Sequence, residues 1–214
     1  MRSYPMWFSL LLLSNCYKET ARTYNQILAQ GKITERGYSN SYFNFSVLIP
    51  RNWIILNKEE TDARNKMGIE LLSETRDSGD TSANKEPKFL INTNKYRQDA
   101  PEAWQGNAGF QITFLKKEYF PNYTGATFQV KAKSLLASSP LYKKISDTKD
   151  EKIGGQTFQT FTSELHLEGF IVFQKNYLLE TEDCFLFFNT SYRGEFVKPE
   201  LDRIINSITF YQSH

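Results

Sequence analysis

The chain is poor in the residues on which many functional sites depend. Its 214 residues include two cysteines and two histidines, and 26 Lys and Arg offset 24 Asp and Glu to a net charge of +2. Two cysteines cannot form a disulfide scaffold, and two histidines leave too few nitrogen ligands for a multi-histidine zinc site. The small net charge provides no basic surplus for binding a phosphate backbone, so we expect no nucleic-acid partner.

The N-terminus carries a short apolar run. Residues 6–13, MWFSLLLL, are apolar apart from Ser9, and Arg2 is the only charged side chain before Lys18. Such a run rises only about 12 Å as a helix, whereas about 20 residues are needed to cross a bilayer. A basic start followed by a short apolar run is typical of a secretory signal.

The residues that follow this run resemble the lipobox of bacterial lipoproteins, in which the Cys thiol receives a diacylglycerol and becomes the mature N-terminus. Leu13 and Ser14 before Cys16 fit that pattern, and Asn15 departs from it, since Gly, Ala or Ser is usual there. We therefore predict a lipoprotein signal peptide over residues 1–15 and a lipid on Cys16. The lipid would place the protein in the cell envelope, on the non-cytoplasmic side of an inner or outer membrane. The alternative is an ordinary cleaved signal or a frayed hydrophobic start.

The remaining thiol and histidines give no sign of catalysis. Cys184 lies in the run DCFLFF, which predicts a buried strand, and we interpret it as a small core residue. A catalytic thiol would need a nearby base and access to substrate. His166 lies in a predicted turn, and His214 is the last residue. The sequence therefore predicts no catalytic residue, no metal site and no cofactor.

Residues 38–214 are predicted to form one α+β domain, preceded by a tether or short helix over residues 16–37. Alternating apolar residues and turn signals predict the strands, and apolar residues at helical spacing predict the helices. A polar stretch over residues 76–87 predicts a mobile loop. The predicted strands are 42–49, 53–56, 88–95, 110–115, 142–146, 156–165, 170–180, 184–192 and 207–210, and the predicted helices are 61–73, 125–139 and one that opens at Pro199.

Four segments of the chain resemble PsbP-like proteins. They are residues 38–53, where Pro50 ends a strand and Trp53 follows; 153–158; 174–179 with 184–192; and 204–210. The resemblance covers about residues 40–211 and implies a single-domain α/β/α sandwich, an antiparallel β-sheet sandwiched by helices. Relatives include an extrinsic photosystem subunit, a Ran-binding nuclear-transport factor, bacterial lipoproteins and chaperones of secreted effectors. Most are not enzymes, so the resemblance implies binding and supplies no catalytic residues.

Aromatic residues in two connections are the candidate partner surface. Trp104 precedes a predicted strand, and Tyr119, Phe120 and Tyr123 follow it. Aromatic side chains at a surface can anchor a protein partner or stack on a sugar. The alternative is that they cover a sheet edge or cap the core.

The sequence thus favours a membrane-anchored bacterial lipoprotein that acts as a non-enzymatic binding or assembly module for an unidentified partner. Two alternatives stay open. A soluble chaperone or immunity-type partner protein would require the apolar leader to be structural or a mis-assigned start. A hydrolase would use carboxylates brought together by the fold, and it predicts a concave pocket with clustered acids.

Overall fold

The computed structural model describes residues 24–63, 87–97 and 99–211. Within these ranges the protein has the predicted α+β class, and every strand pairing is antiparallel. None of the helices in these ranges has the length and apolar character to span a membrane. The predicted signal peptide, Cys16, most of the predicted helix 61–73 and nearly all of the predicted loop 76–87 lie outside the described residues.

The described residues form twelve strands and five helices. The strands are β1 (Gly31–Thr34), β2 (Gly37–Asn40), β3 (Phe45–Leu48), β4 (Ile54–Ile55), β5 (Lys88–Asn94), β6 (Asn107–Lys116), β7 (Tyr142–Lys143), β8 (Lys149–Ile153), β9 (Gln156–Leu167), β10 (Phe170–Glu180), β11 (Cys184–Arg193) and β12 (Thr209–Phe210). The helices are α1 (24–29), α2 (58–63), α3 (Pro101–Gln105), α4 (Gly125–Ser138) and α5 (Lys198–Asn206).

The strands form a large and a small sheet. The large sheet has the order β4-β5-β6-β11-β10-β9-β7, with β8 also paired to β9, and the small sheet has the order β1-β2-β3-β12. The hairpin between β8 and β9 depends on Gly154, whose φ is 56°. A Cβ atom there would lie 2.6 Å from the Ile208 carbonyl oxygen, so this turn needs glycine for both its conformation and its space.

Successive side chains of the central strands point to opposite sides of the large sheet. On one side, the apolar face, the central side chains are mainly aliphatic or aromatic, with Thr93, Thr190, Lys116 and Lys175 towards the ends of the strands; the other side, the amide face, carries both polar and apolar side chains. On β6 the apolar-face residues are Phe110, Ile112 and Phe114, and the amide-face residues are Gln111, Thr113 and Leu115.

The apolar face is covered by the small sheet together with α1 and α5. Phe45 of β3 packs edge-on against Phe188 of β11, with ring centroids 5.5 Å apart. Leu201 and Ile204 of α5 and Ile27 of α1 are buried in the same cluster. These aromatic and aliphatic contacts make this the main hydrophobic core.

The amide face is covered in part by α4. Thr124 caps this helix by accepting a hydrogen bond from the Thr127 N–H, and Thr127 reciprocates. Phe128 then packs against Phe185 and Phe187, with centroid distances of 5.1 and 5.2 Å. Helices therefore lie on both sides of the large sheet, as the sequence predicts. The small sheet is an additional layer that the sequence analysis did not separate.

Residues 24–37 belong to the segment that the sequence assigns to a tether or short helix. Residues 24–29 are helical, with Tyr24 and Ile27 buried in the main core, and Gly31–Thr34 is the edge strand of the small sheet. Gly31 permits this packing because a Cβ atom there would meet the Tyr38 hydroxyl at 2.3 Å. These described residues therefore pack on the body of the protein.

Several other element boundaries also differ. The predicted connection over residues 99–109 contains α3 and the first residues of β6, and the predicted strand 142–146 ends at Lys143. Strand β8 was not predicted, because Lys149–Ile153 is mostly charged and exposed and has the composition of a loop. Only its pairing with β9 makes it a strand.

Candidate functional site

A cavity of about 310 Å³ opens on the amide face, beside the C-terminal half of α4. Its polar lining is dominated by carboxamide side chains, and Phe89, Leu136 and Tyr142 provide apolar surface. The carboxamides are Asn92, Gln111, Gln174, Asn176 and Asn189.

The register of the large sheet places four of these carboxamides in one row. Asn92 of β5 lies opposite Gln111 of β6, Gln111 lies opposite Asn189 of β11, and Asn189 lies opposite Asn176 of β10. Directly opposed residues in antiparallel strands share a face, and neighbouring strands lie about 4.7–4.9 Å apart. The result is a continuous amide row across four strands.

The cavity arises because the next row of the sheet has small side chains at its centre. Gly109 of β6 lies opposite Ser191 of β11, and Ser191 lies opposite Gln174 of β10. Because Gly109 has no side chain and Ser191 has only a hydroxymethyl group, the surface of the sheet has a depression at these two residues. Leu136 of α4 and Tyr142 of β7 form part of the surrounding wall.

The described residues that line the cavity are electrically neutral. They include no Asp, Glu, Lys, Arg, His or Cys, and the one titratable group among them is Tyr142. Burial raises the pKa of the Tyr142 hydroxyl, and a hydrogen bond with Gln174 opposes this shift. The phenol therefore stays protonated at neutral pH, and the cavity provides no general base.

Several amide groups of the row have unused hydrogen-bonding capacity. Nδ2 of Asn176 is buried and donates to no other described residue. The side chains of Gln111 and Asn189 make no hydrogen bond to the described part of the chain, whereas Gln174 Oε1 accepts one from Ser163 Oγ at 3.3 Å. An unpaired buried amide costs about 1–3 kcal/mol, and a ligand with a hydrogen-bond acceptor could satisfy Nδ2 of Asn176.

The arrangement suits binding rather than acid–base chemistry. The hydrolase alternative predicts clustered acids in a concave pocket, and no carboxylate is present among the described residues that line this cavity. Across residues 24–63, 87–97 and 99–211, no group of three or more His, Cys, Asp and Glu side chains could hold a metal ion.

Cys184 and His166 lie away from the cavity. Cys184 is fully buried on the apolar face, and burial is the main cause that raises its thiol pKa to about 12. The thiol is therefore protonated at neutral pH, in agreement with its interpretation as a core residue. His166 is in β9 rather than in the predicted turn, and its Nε2 lies 2.9 Å from Glu164 Oε2.

The aromatic residues of the predicted partner surface are separated by the fold. Tyr119 stacks on Tyr24 beside the main core, with centroids 6.1 Å apart. Phe120 and Tyr123 are half-buried on the amide face, where they pack against Phe128 at 5.7 and 5.9 Å.

None of these three residues lines the cavity. Trp104 lies in α3, and its side chain is outside the described part of the structure. A partner surface formed by Trp104, Tyr119, Phe120 and Tyr123 stays a prediction.

Sequence reasoning missed the amide row. The signal was present, because Asn92, Gln111, Asn176 and Asn189 all lie in strands that were predicted. Alternation alone assigns them to a polar side of the sheet. Their alignment depends on strand register, which the sequence pattern did not specify.

Comparison with known proteins gives likenesses of structure only. The sequence matches no protein-family model, and the search of curated proteins gives no match. Cyanobacterial PsbP from Synechocystis has 13% sequence identity to this chain over 81% of this chain and 91% of that one, with a TM-score of 0.45. LpqN, involved in cell envelope biogenesis of Mycobacterium tuberculosis, has 11% identity over 78% of this chain and 83% of that one, also with a TM-score of 0.45. At these identities and TM-scores the likenesses assign no family and no role to this chain.

Proposed function

We propose that this protein is a non-enzymatic binding module of the bacterial cell envelope and that its amide-lined cavity binds a neutral saccharide. The observation that carries the proposal is the row of Asn92, Gln111, Asn189 and Asn176 in a cavity whose described lining residues are all uncharged. The cell-envelope location is proposed from the signal-like leader and from Cys16 in the sequence.

A saccharide matches the chemistry of the cavity. Each carboxamide offers two N–H donors and one carbonyl acceptor, and neighbouring sugar hydroxyls both donate and accept. Phe89 and Tyr142 provide aromatic surface for the apolar side of a sugar ring. A charged ligand would lose hydration in this lining without gaining a counter-ion.

The size of the cavity limits the ligand. Its volume of about 310 Å³ is at the lower end of the roughly 300–1,000 Å³ range of small-molecule pockets. The cavity therefore accommodates a small saccharide or one end of a longer chain.

The direct test is calorimetric titration of the full chain with glucose, N-acetylglucosamine and maltotriose. We expect at least one of these sugars to bind, and Asn176→Ala and Asn189→Ala each to weaken that binding about three- to ten-fold, because each removes one or two hydrogen bonds. Asn122→Ala is the matched control, since Asn122 is exposed and does not line the cavity.

Two results would contradict the saccharide assignment. One is the absence of any heat of binding with all three sugars, particularly if an uncharged peptide binds instead. The other is equal loss of affinity in Asn122→Ala and in the two cavity variants.

The membrane attachment has a separate test. Acyl chains contribute about 0.8 kcal/mol per buried CH₂ group, so lipid on Cys16 would hold the domain at a membrane without any spanning segment. We expect Cys16→Ser to abolish the acyl mass on the mature chain and to shift the protein from the membrane to the soluble fraction. An unprocessed wild-type chain in the cytosol would instead favour the soluble chaperone or immunity-type alternative.

A further inference from the structure

A second cavity, of about 320 Å³, lies at one end of the small sheet, where this sheet meets α5. We call it the arginine groove. Three arginines contribute to its lining together with an apolar floor, one glutamate and one serine. The residues are Arg36, Arg51 and Arg203; Leu48, Ile49, Pro50 and Ile204; Glu35; and Ser207.

Two hydrogen bonds donated by backbone N–H groups hold the three sides of the groove together. The Ile49 N–H donates to the Arg36 carbonyl oxygen at 3.1 Å, which joins the end of β3 to the β1–β2 turn. The Leu48 N–H donates to Ser207 Oγ at 2.9 Å, which joins β3 to the C-terminal end of α5. The arginines therefore project from a fixed framework rather than from a long loop.

The groove carries a positive charge that the described chain does not neutralise. Three arginines face one glutamate, and the guanidinium groups of Arg36 and Arg51 form no ion pair within residues 24–63, 87–97 and 99–211. Elsewhere the buried or half-buried lysines are paired, as in the contact of Lys117 with Glu180 at 2.6 Å. The excess positive charge of the groove is thus available to an anionic partner.

The groove also presents an apolar side chain to solvent. Leu48 lies on the outer surface of the small sheet and is 56% exposed, and it adjoins Pro50 and Ile204 in the groove. An exposed apolar residue among cations fits a partner with anionic groups at its surface and hydrocarbon beneath them. A lipid bilayer containing anionic phospholipids has this layered chemistry.

We propose that the arginine groove docks the domain on an anionic phospholipid bilayer, with Leu48 at the level of the headgroups. Charge complementarity selects this partner, and the attraction adds to any lipid on Cys16, since two signals anchor a protein more stably than one. The small sheet covers the apolar face of the large sheet, and the amide-lined cavity lies on the other face. Docking through the groove therefore leaves that cavity open to ligand.

The test is binding of the full chain carrying Cys16→Ser to vesicles. Vesicles of phosphatidylcholine alone measure the contribution of the apolar leader, which all variants share, and vesicles that also contain phosphatidylglycerol measure the added electrostatic attraction. We expect tighter binding to the anionic vesicles, a loss of about five-fold for each of Arg36→Gln and Arg51→Gln, and a further decrease as salt is raised. Leu48→Ser is expected to weaken binding to the anionic vesicles as well.

Lys32→Gln is the matched control, because Lys32 is an exposed cation on the same small sheet but outside the groove. The proposal is overturned if Lys32→Gln loses as much binding as the arginine variants, or if phosphatidylglycerol gives no gain over phosphatidylcholine. Binding of an acidic peptide to the groove in place of anionic vesicles would also overturn it. Because sugar titration reports on the other cavity, failure of this proposal and failure of the saccharide assignment are distinguishable.

Discussion

The two faces of the large sheet are built from the same strands and have opposite chemistry. On β11, Phe188 points to the apolar face and contacts Phe45, Phe110 and Phe158, whereas the next residue, Asn189, points to the amide face and joins the amide row. The apolar face is sealed by the small sheet, α1 and α5. Among the described residues, the amide face is covered where Phe120, Tyr123 and α4 pack over Phe185 and Phe187.

This difference links the apolar face to the stability of the fold and the amide face to ligand binding. Burying aromatic side chains stabilises the fold, whereas half-burying a row of carboxamides stabilises nothing unless their hydrogen bonds are satisfied. Positions at which a sequence departs from the rules of good packing are the positions where function is expected. The amide row is such a departure, and each prediction below tests one side of the comparison.

The largest effect is expected at the centre of the apolar face. Phe188→Ala should lower the free energy of unfolding by about 3–5 kcal/mol, because it leaves a cavity among three aromatic rings. The matched variant is Phe187→Ala, one residue earlier and on the half-covered amide face. It should lower the free energy of unfolding by clearly less than Phe188→Ala. Urea denaturation of both variants provides the measurement, and equal losses would mean that the two faces are equally important for stability.

A smaller effect is expected at the edge of the apolar face, where Glu200 of α5 accepts hydrogen bonds from Lys95 Nζ at 2.5 Å and Trp53 Nε1 at 3.0 Å. Burial raises the pKa of Glu200, but the hydrogen bonds from Lys95 and Trp53 outweigh it, so the pKa lies below its ordinary value. Glu200→Gln should lower the free energy of unfolding by about 1–3 kcal/mol at neutral pH, because Lys95 loses its counter-ion.

The pH dependence of this variant follows from the sign of the shift. A depressed carboxyl pKa stabilises the fold above the pKa of the unfolded chain, about 4.3, and this stabilisation is lost as the pH falls through the lower folded value. The difference between wild type and Glu200→Gln should therefore be constant above about pH 5 and should shrink in more acidic solution. A difference that grows on acidification would contradict this assignment.

On the amide face a substitution should change stability little. Asn176→Leu should alter the free energy of unfolding by no more than about 1 kcal/mol, in either direction, because it removes a buried amide without a described partner and leaves a side chain of similar size. Thermal unfolding without sugar gives the stability, and the same variant should lose sugar-induced stabilisation. A large destabilisation would assign Asn176 to the structural core instead of the ligand site.

The smallest effect is expected at Cys184, whose thiol should not react in the folded protein. In the full chain carrying Cys16→Ser, the Cys184 thiol should not react with a thiol reagent at pH 8, because it is fully buried and its pKa is raised to about 12. Unfolding in urea should expose it to stoichiometric labelling. Rapid labelling of the native protein would show that the apolar face opens readily to solvent.

Much of the fold could be predicted from local patterns. The hairpins of β9, β10 and β11 follow from alternating residues and turn signals, and α4 (Gly125–Ser138) agrees closely with the helix 125–139 that the spacing of apolar residues predicts. Strand β8 and the strands of the small sheet could not be located with equal precision. Lys149–Ile153 is mostly charged, and Gly31–Thr34 is short and exposed. Each of these segments is a strand only because it forms hydrogen bonds with a neighbouring strand.

The sequence by itself determined the α+β class, the sides to which strand residues point, the core role of Cys184 and the signal-like leader with Cys16, because each depends on residues close together in the chain. Only the tertiary structure decided that Asn92, Gln111, Asn189 and Asn176 form one row and that three arginines meet at one end of the small sheet. The physical reason is register. Alternation fixes which face a side chain occupies, but its neighbours on that face are fixed by hydrogen bonds between strands that are distant in the sequence.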